Sequence, residues 1–260
     1  MNVNELVLDR VRSATFHDLT DNKMLLRITS IEDPSLNCTA EGEEVTDAVG
    51  ALITTLYRAK RAEFSGTNSL FSMDLAAVQY GAEKEVARKT NKITDYTYEI
   101  LKVAEGETNK TLAHIPTNDV KYIYSIVNNE TGTAYTAGAA ASATEFVIDK
   151  ETGKITVPTG FVGSLFVEYQ YEAEEAVRVQ NMASNFPEAG SLIIYAYFKD
   201  KCNENIVYSG KIICPKAKIN PESVELALTS TGKHAFNFIM MKDYCATEGE
   251  DLLFSIVISK

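Results

Sequence analysis

The stretch AVGALITTLYRAKRAEFSGTNSLFSMDLAAVQYGAEKEVARKTNKITDYTYEIL, residues Ala48 to Leu101, decides how the rest of the chain is read. Leu52 to Phe64 reads as one long strand or two broken ones. Arg58, Lys60 and Arg61 place cations on it, so at least one face is wet or meets acidic partners. Asn68 and Ser69 are residue types that cap helix N-termini. A helix is predicted from Leu70 to Tyr80, stopped by Gly81 at the C′ position. Along it only Ser72, Asp74 and Gln79 are polar. A helix apolar on most sides asks for cover on most sides, and one sheet covers one side. The second cover is either a neighbouring subunit or more of the same subunit. Leu70, Phe71, Leu75 and Val78 therefore join Arg58, Lys60 and Arg61 as candidate inter-subunit residues. A charged connector, Glu83–Asn91, and a strand, Ile93–Val103, complete the stretch.

Upstream, residues 4–16 alternate loosely and read as an extended arm or first strand. Lys23–Ile31 is a better strand, with burial on both faces or a bulge. Then comes EDPSLNCTAEGEEVTD, Glu32 to Asp47. It contains Asp33-Pro34 and Gly42, few apolar residues, four glutamates and two aspartates. This reads as a long acidic loop, and such loops in compact domains are usually functional or disordered. Glu32, Asp33, Glu41, Glu43, Glu44 and Asp47 are its candidate contact residues.

Downstream, Glu105–Thr111 is a polar break. From Leu112 to Ala173 the strands are short: Val120–Val127, Phe146–Ile148, Lys154–Val157 and Ser164–Tyr171. Turn signals at Asn128–Gly132, Asp149–Gly153 and Thr159-Gly160 separate them. This texture predicts a small Ig-like β-sandwich inserted between two parts of a larger sheet domain, with divisions at 1–110, 111–175 and 176–260. The segment Ala137–Ala143 reads as a loop. Ser191–Phe198 and Asn205–Cys214 form a predicted hairpin. Val224–Leu228, His234–Met241 and Leu252–Ile258 are predicted strands. Phe236, Phe238 and Met240 share one parity, as do Phe254, Ile256 and Ile258, so each strand is expected to be half-buried. The fold class is mainly β, a barrel or sandwich with one flanking α-helix and the inserted module.

Lys and Arg number 25 against 36 Asp and Glu, a net charge of −11. That balance argues against a nucleic-acid binder, which gathers cations against phosphate. It fits plain solubility, or a surface that repels phosphate. The N-terminus lacks a basic start followed by an apolar run, so no signal peptide is expected. No apolar run is long enough for a membrane span. Cys38, Cys202, Cys214 and Cys245 lack CxxC spacing and read as reduced thiols. Cys202 and Cys214 flank the hairpin and could also face one another. Asn37, Asn109 and Asn129 begin glycosylation sequons that read as chance matches without a secretory signal. No phosphate loop, dinucleotide fingerprint, zinc motif or nucleophile elbow is present. His17, His114 and His234 are far apart, and His234 reads as a half-exposed strand histidine. Glu41, Glu43 and Glu44 do not match a known cation loop. No enzyme, cofactor or metal is expected.

Two pieces carry a family resemblance. TLYRAKRAEFSGTNSLFSMDLAAVQYGAEKEV has a strand with a Tyr-Arg-x-Lys core, then Asn-Ser-Leu, an apolar helix and a terminating Gly. PKAKINPESVELALTSTGKHAFNFIMMKDYC places Pro215-Lys216-Ala217 and His234-Ala235-Phe236 as a core strand pair. Together they resemble the tail tube proteins of tailed bacteriophages. The resemblance implies a virion structural protein with a barrel-type core, made in the host cytoplasm and built into the tail. It implies hexameric rings stacked around a DNA channel, with the early loop, here Glu32–Asp47, touching the next ring. The implied partners are further copies of the chain and other tail proteins such as sheath, terminator or baseplate components. DNA would pass without specific binding, along an acidic wall, and no membrane is involved. The extra module departs from the simplest tube subunits. It leaves a capsid decoration, or another phage structural protein that binds through this module, as the alternative.

Overall fold

The structure is a computed structural model and describes residues 5–203, 205–221, 233–244 and 252–259. In chain order the elements are β1 (Leu6–Asp18), β2 (Met24–Ile28), β3 (Ile31–Thr46), β4 (Leu52–Asn68), α1 (Met73–Tyr80), β5 (Glu85–Val86), β6 (Ile93–Val103), β7 (Asn109–Thr111) and β8 (Tyr122–Val127). There follow β9 (Glu130–Ala137), β10 (Glu145–Asp149), β11 (Lys154–Thr156), β12 (Gly163–Ala173), β13 (Val177–Arg178), β14 (Ala189–Asp200), β15 (Val207–Ile219), β16 (His234–Met240) and β17 (Ser255–Ser259). Two compact units result: Met1–Lys84 with Val179–Lys260, and Glu85–Arg178.

The first unit is an eight-stranded sheet in the order β2-β1-β14-β15-β16-β4-β3, with β17 added beside β15, and it curls into a nearly closed barrel. Strand periodicity builds it. Gly190, Leu192, Ile194 and Ala196 alternate inward along β14, and His234, Phe236, Phe238 and Met240 do so along β16. Rings then meet inside: Phe16 lies 5.2 Å from Phe238, and Phe64 lies 5.5 Å from Phe236. Removing this apolar area from water is the main driving force for closing the barrel.

The helix is shorter than the sequence predicts. Its N-cap is Ser72, whose side chain accepts from the Leu75 N–H, rather than Asn68 or Ser69. Asn68 is still the last residue of β4, and its side chain donates to the Leu70 carbonyl at 2.7 Å. Gly81 ends the helix as expected, at φ 60°. A Cβ there would lie 2.2 Å from the Phe186 carbonyl oxygen, so the position combines a left-handed backbone with a close approach.

The expectation of a loop at Glu32–Asp47 is corrected. These residues lie in or at the end of β3, which pairs with β4 from Ile31↔Asn68 to Thr46↔Leu52. Asp33-Pro34 falls in an irregularity of the pairing, and Gly42 stands in register opposite Tyr57, so neither ends the strand. The half-buried reading of the last strand also changes, since Ile256 is 55% exposed. Cys202 is an exposed free thiol in the β14–β15 turn and Cys214 a buried one within β15, so they do not pair. Burial pushes the Cys214 thiol up to about 11. The predicted strand at Val224–Leu228 and Cys245 lie outside the described residues.

The second unit begins at Glu85, earlier than the expected division at 111. The reason is that β6 pairs along its whole length with β12, from Ile93↔Ala173 to Val103↔Gly163. Its seven strands run β6-β12-β8-β9-β10-β11-β7 around a core that includes Ile123, Phe146, Ile155, Leu165 and Val167. Asn128 and Asn129, both at positive φ, make the β8–β9 turn. The chain enters and leaves this unit through a ribbon in which β5 pairs with β13 and Arg178 bonds Glu85 at 2.7 Å.

Candidate functional site

Three features of the first unit could meet a partner. The first is the outer half of the β3–β4 hairpin. From Ala62 to Asn68, β4 is bonded on both sides, to β3 and to β16. From Leu52 to Arg61 its only partner among the described residues is β3, so the two strands leave the barrel as a free arm. The departure is marked by a bulge, where Ala59 and Lys60 stand opposite Ala40 and Ala59 adopts φ 48°. An isolated two-stranded hairpin is marginally stable in water. This one nevertheless exposes Val49 at 88%, Ile53 at 64% and Tyr57 at 75%, with Leu52 and Leu56.

The expected contact residues fall along this hairpin in distinct settings. Glu32 stays at the barrel, accepting 2.8 Å from Ser69 Oγ and pairing with Lys233, whose ammonium holds its carboxyl below the usual range. Asp33 occupies an irregularity at φ 49°. Glu41 faces Arg58 across the arm, Glu43 pairs with Arg58 at 3.3 Å, and Glu44 faces Thr55. Asp47 forms the tip: its carboxylate accepts from Val49 and Ala51 N–H at 3.0 and 2.8 Å. Arg58, Lys60 and Arg61 are all exposed on the arm or at its base.

The second feature is the region around α1. Leu75 is fully buried in the barrel core and Val78 packs against that core, so their cover comes from their own subunit. Leu75 is therefore corrected as an inter-subunit candidate. Leu70 and Phe71, which precede the helix, are 65% and 58% exposed and remain open to a partner. Beneath them His234 is buried rather than half-exposed, at 1%. Its Nε2–H donates to Gln79 Oε1 at 2.6 Å while Nδ1 accepts from the Ser72 N–H at 3.5 Å. Gln79 Nε2 donates to the Ala235 carbonyl at 2.8 Å, and the Phe71 ring stacks on the imidazole at 5.4 Å. Neutral His234 satisfies both contacts, and burial lowers its pKa.

The third feature, not anticipated from the sequence, is a pair of open sheet edges. β2 covers β1 only over Ala14–His17, which leaves Leu6–Ser13 without a strand partner on that side among the described residues. β17 pairs with Ser209–Ile213 of β15 and has no second partner among the described residues. Between these edges runs a four-stranded stretch, β1-β14-β15-β17, with Val7, Leu8, Ile256 and Val257 exposed. Gly210 within it lies under the Phe198 ring, 2.2 Å from where a Cβ would sit. Among the described residues no cluster of His, Cys, Asp and Glu could hold a metal ion, and no helix is long and apolar enough to cross a membrane.

The model of the YomU/Tube protein family matches residues 6–251. No curated protein matches the chain significantly.

Proposed function

Because the chain belongs to the YomU/Tube protein family, a tube-like phage family, we propose that it is a tail tube subunit, assembling into hexameric rings stacked around a DNA channel in the virion tail. The observation that carries this reading is the free arm of the β3–β4 hairpin. A two-stranded arm with apolar side chains open to water is costly in a monomer and favourable once a neighbouring copy covers it. The open edges of β1 and β17 support the same reading. They lie on opposite sides of one sheet, so a contact between them is head-to-tail, the kind that closes into rings. Further partners are other tail proteins at the ends of the stack, such as sheath, terminator or baseplate components, and synthesis takes place in the host cytoplasm.

Negative-stain microscopy and sedimentation of the purified chain at rising concentration test the reading. Rings and stacked tubes are expected, and a subunit carrying Ile53→Asp and Tyr57→Asp should stay folded but fail to assemble. A chain that remains strictly monomeric at high concentration, or that stops at a trimer, would overturn it; the trimer would favour a capsid decoration.

A further inference from the structure

The outward face of the β1-β14-β15-β17 stretch is basic in a chain whose net charge is −11. Register places the groups. Tyr195 stands opposite Ser13 and Lys211, Tyr197 opposite Arg10 and Ser209, and Val257 opposite Lys211. Directly paired residues share a face, so these side chains point the same way. Arg12 fills a bulge between Val11 and Ser13 and is turned to the same side, because Arg10 and Arg12 both lie over the Tyr197 ring, 5.8 and 5.7 Å from its centroid. Lys199 adds a fourth cation. Asp9 is the carboxylate at this face; it pairs with Lys199 at 2.9 Å and lies 3.8 Å from Arg10. Glu5, near the tip, is already paired with Lys201. Arg12 and Lys211 have no carboxylate partner among the described residues.

We propose that this face, with Arg10, Arg12, Lys199 and Lys211 around Tyr195 and Tyr197, contacts the phosphate backbone of duplex DNA. Charge complementarity identifies the partner. An acidic chain that sets four cations together on one sheet face, with a single carboxylate among them in the described residues, presents a surface suited to a polyanion. The cations are spread over three strands, and they include arginines held over an aromatic ring and so partly ordered in advance. The arm of a second copy is a poorer occupant, because Glu41, Glu43, Glu44 and Asp47 are interleaved there with Arg58, Lys60 and Arg61. No base-reading element is present on this sheet, so the contact is independent of sequence. With few phosphates engaged it is weak enough for DNA to slide. The inference rests on the tube reading for the presence of DNA, and it reverses the sign of the channel wall that the resemblance implies.

Fluorescence anisotropy of a labelled DNA duplex with the full chain tests it. Neutralising about three phosphates predicts that the affinity falls roughly 40-fold between about 50 and about 200 mM salt. Arg12→Glu with Lys211→Glu should abolish the association. Lys102→Glu with Lys121→Glu, an equal change of charge on exposed residues of the other unit, should leave most of it. If the first pair misfolds by circular dichroism, Arg12→Gln with Lys211→Gln takes its place and should weaken binding at least tenfold. Absence of association at low salt, or equal losses from both pairs of substitutions, would overturn the proposal. So would a variant that keeps DNA but loses self-association, since the face would then be a subunit contact. Microscopy of the same samples separates the two readings: tubes without DNA association refute this inference alone, and association without any ring or tube refutes the tube assignment alone.

Discussion

The two halves of β4 are one continuous strand with opposite fates. From Ala62 to Asn68 it lies between β3 and β16, and Ala62 and Phe64 are sealed in the core. From Leu52 to Tyr57 it has a neighbour on one side only among the described residues, and its large side chains stand in water. Residue type does not separate the halves, since Leu, Ile and Tyr fill the exposed one. What separates them is whether the next strand in the sheet is supplied by the same chain. An exposed half so rich in apolar side chains is best understood as awaiting a strand or a face from elsewhere.

The largest test of that contrast moves it to the helix. Leu75→Asp buries an unpaired carboxylate in the barrel core and should cost about 4 kcal/mol or more, leaving the chain unfolded by circular dichroism. Leu70→Asp, on the exposed turn before α1, should leave the subunit folded and alter only assembly. Next comes β4 itself. Phe64→Ala should cost about 3–5 kcal/mol in chemical denaturation. Tyr57→Ala should change the stability of the dilute, unassembled chain by less than about 0.5 kcal/mol. Equal losses at the two positions would break the comparison by showing the arm to be covered within the subunit.

A pH series sharpens it further. His234 is held neutral between Gln79 and Ser72, with a pKa lowered by burial from its ordinary 6.5. The folded state then binds fewer protons than the unfolded one. Its contribution is fully present above about pH 6.5 and is lost as pH falls from there towards the folded-state pKa. Unfolding midpoints should fall over that window, and His234→Asn should remove this part of the slope. The bulge gives a change of opposite sign. Ala59 holds a left-handed conformation that favours glycine, so Ala59→Gly should stabilise the chain by about 1 kcal/mol in the same denaturation assay.

Period-two alternation made the barrel core legible from the sequence: Phe236, Phe238 and Met240 all point inward as read. Gly81 marked the helix end for a conformational reason that any helix shares. The β4 side of the arm was read as a strand, but its β3 side was hidden because a two-stranded ribbon outside the core has no buried face, and so its strands need not alternate. Asp33-Pro34 and Gly42 then looked like a loop when they sit at irregularities of a paired strand or in open ribbon. The second unit's start was missed because β6 is joined to β12 by pairing between residues far apart in sequence, Ile93 with Ala173 and Val103 with Gly163. The basic face was out of reach for the same reason. Arg12 and Lys211 are distant in sequence, and only the antiparallel pairing of β1, β14 and β15 brings them to one surface. His234 looked half-exposed because nothing near it in the sequence announces Gln79 or Ser72.

The short ribbon of β5 and β13 has a practical meaning. By pairing Glu85 with Arg178 and Val86 with Val177, it holds the two ends of the second unit one strand spacing apart, about 5 Å. A segment with adjoining ends is a cassette. Lys84 and Val179 could be spliced by a short glycine linker to give a minimal chain, or joined to another domain with neighbouring termini. The same junction offers a place to mount a foreign protein once per subunit without rewriting a barrel strand.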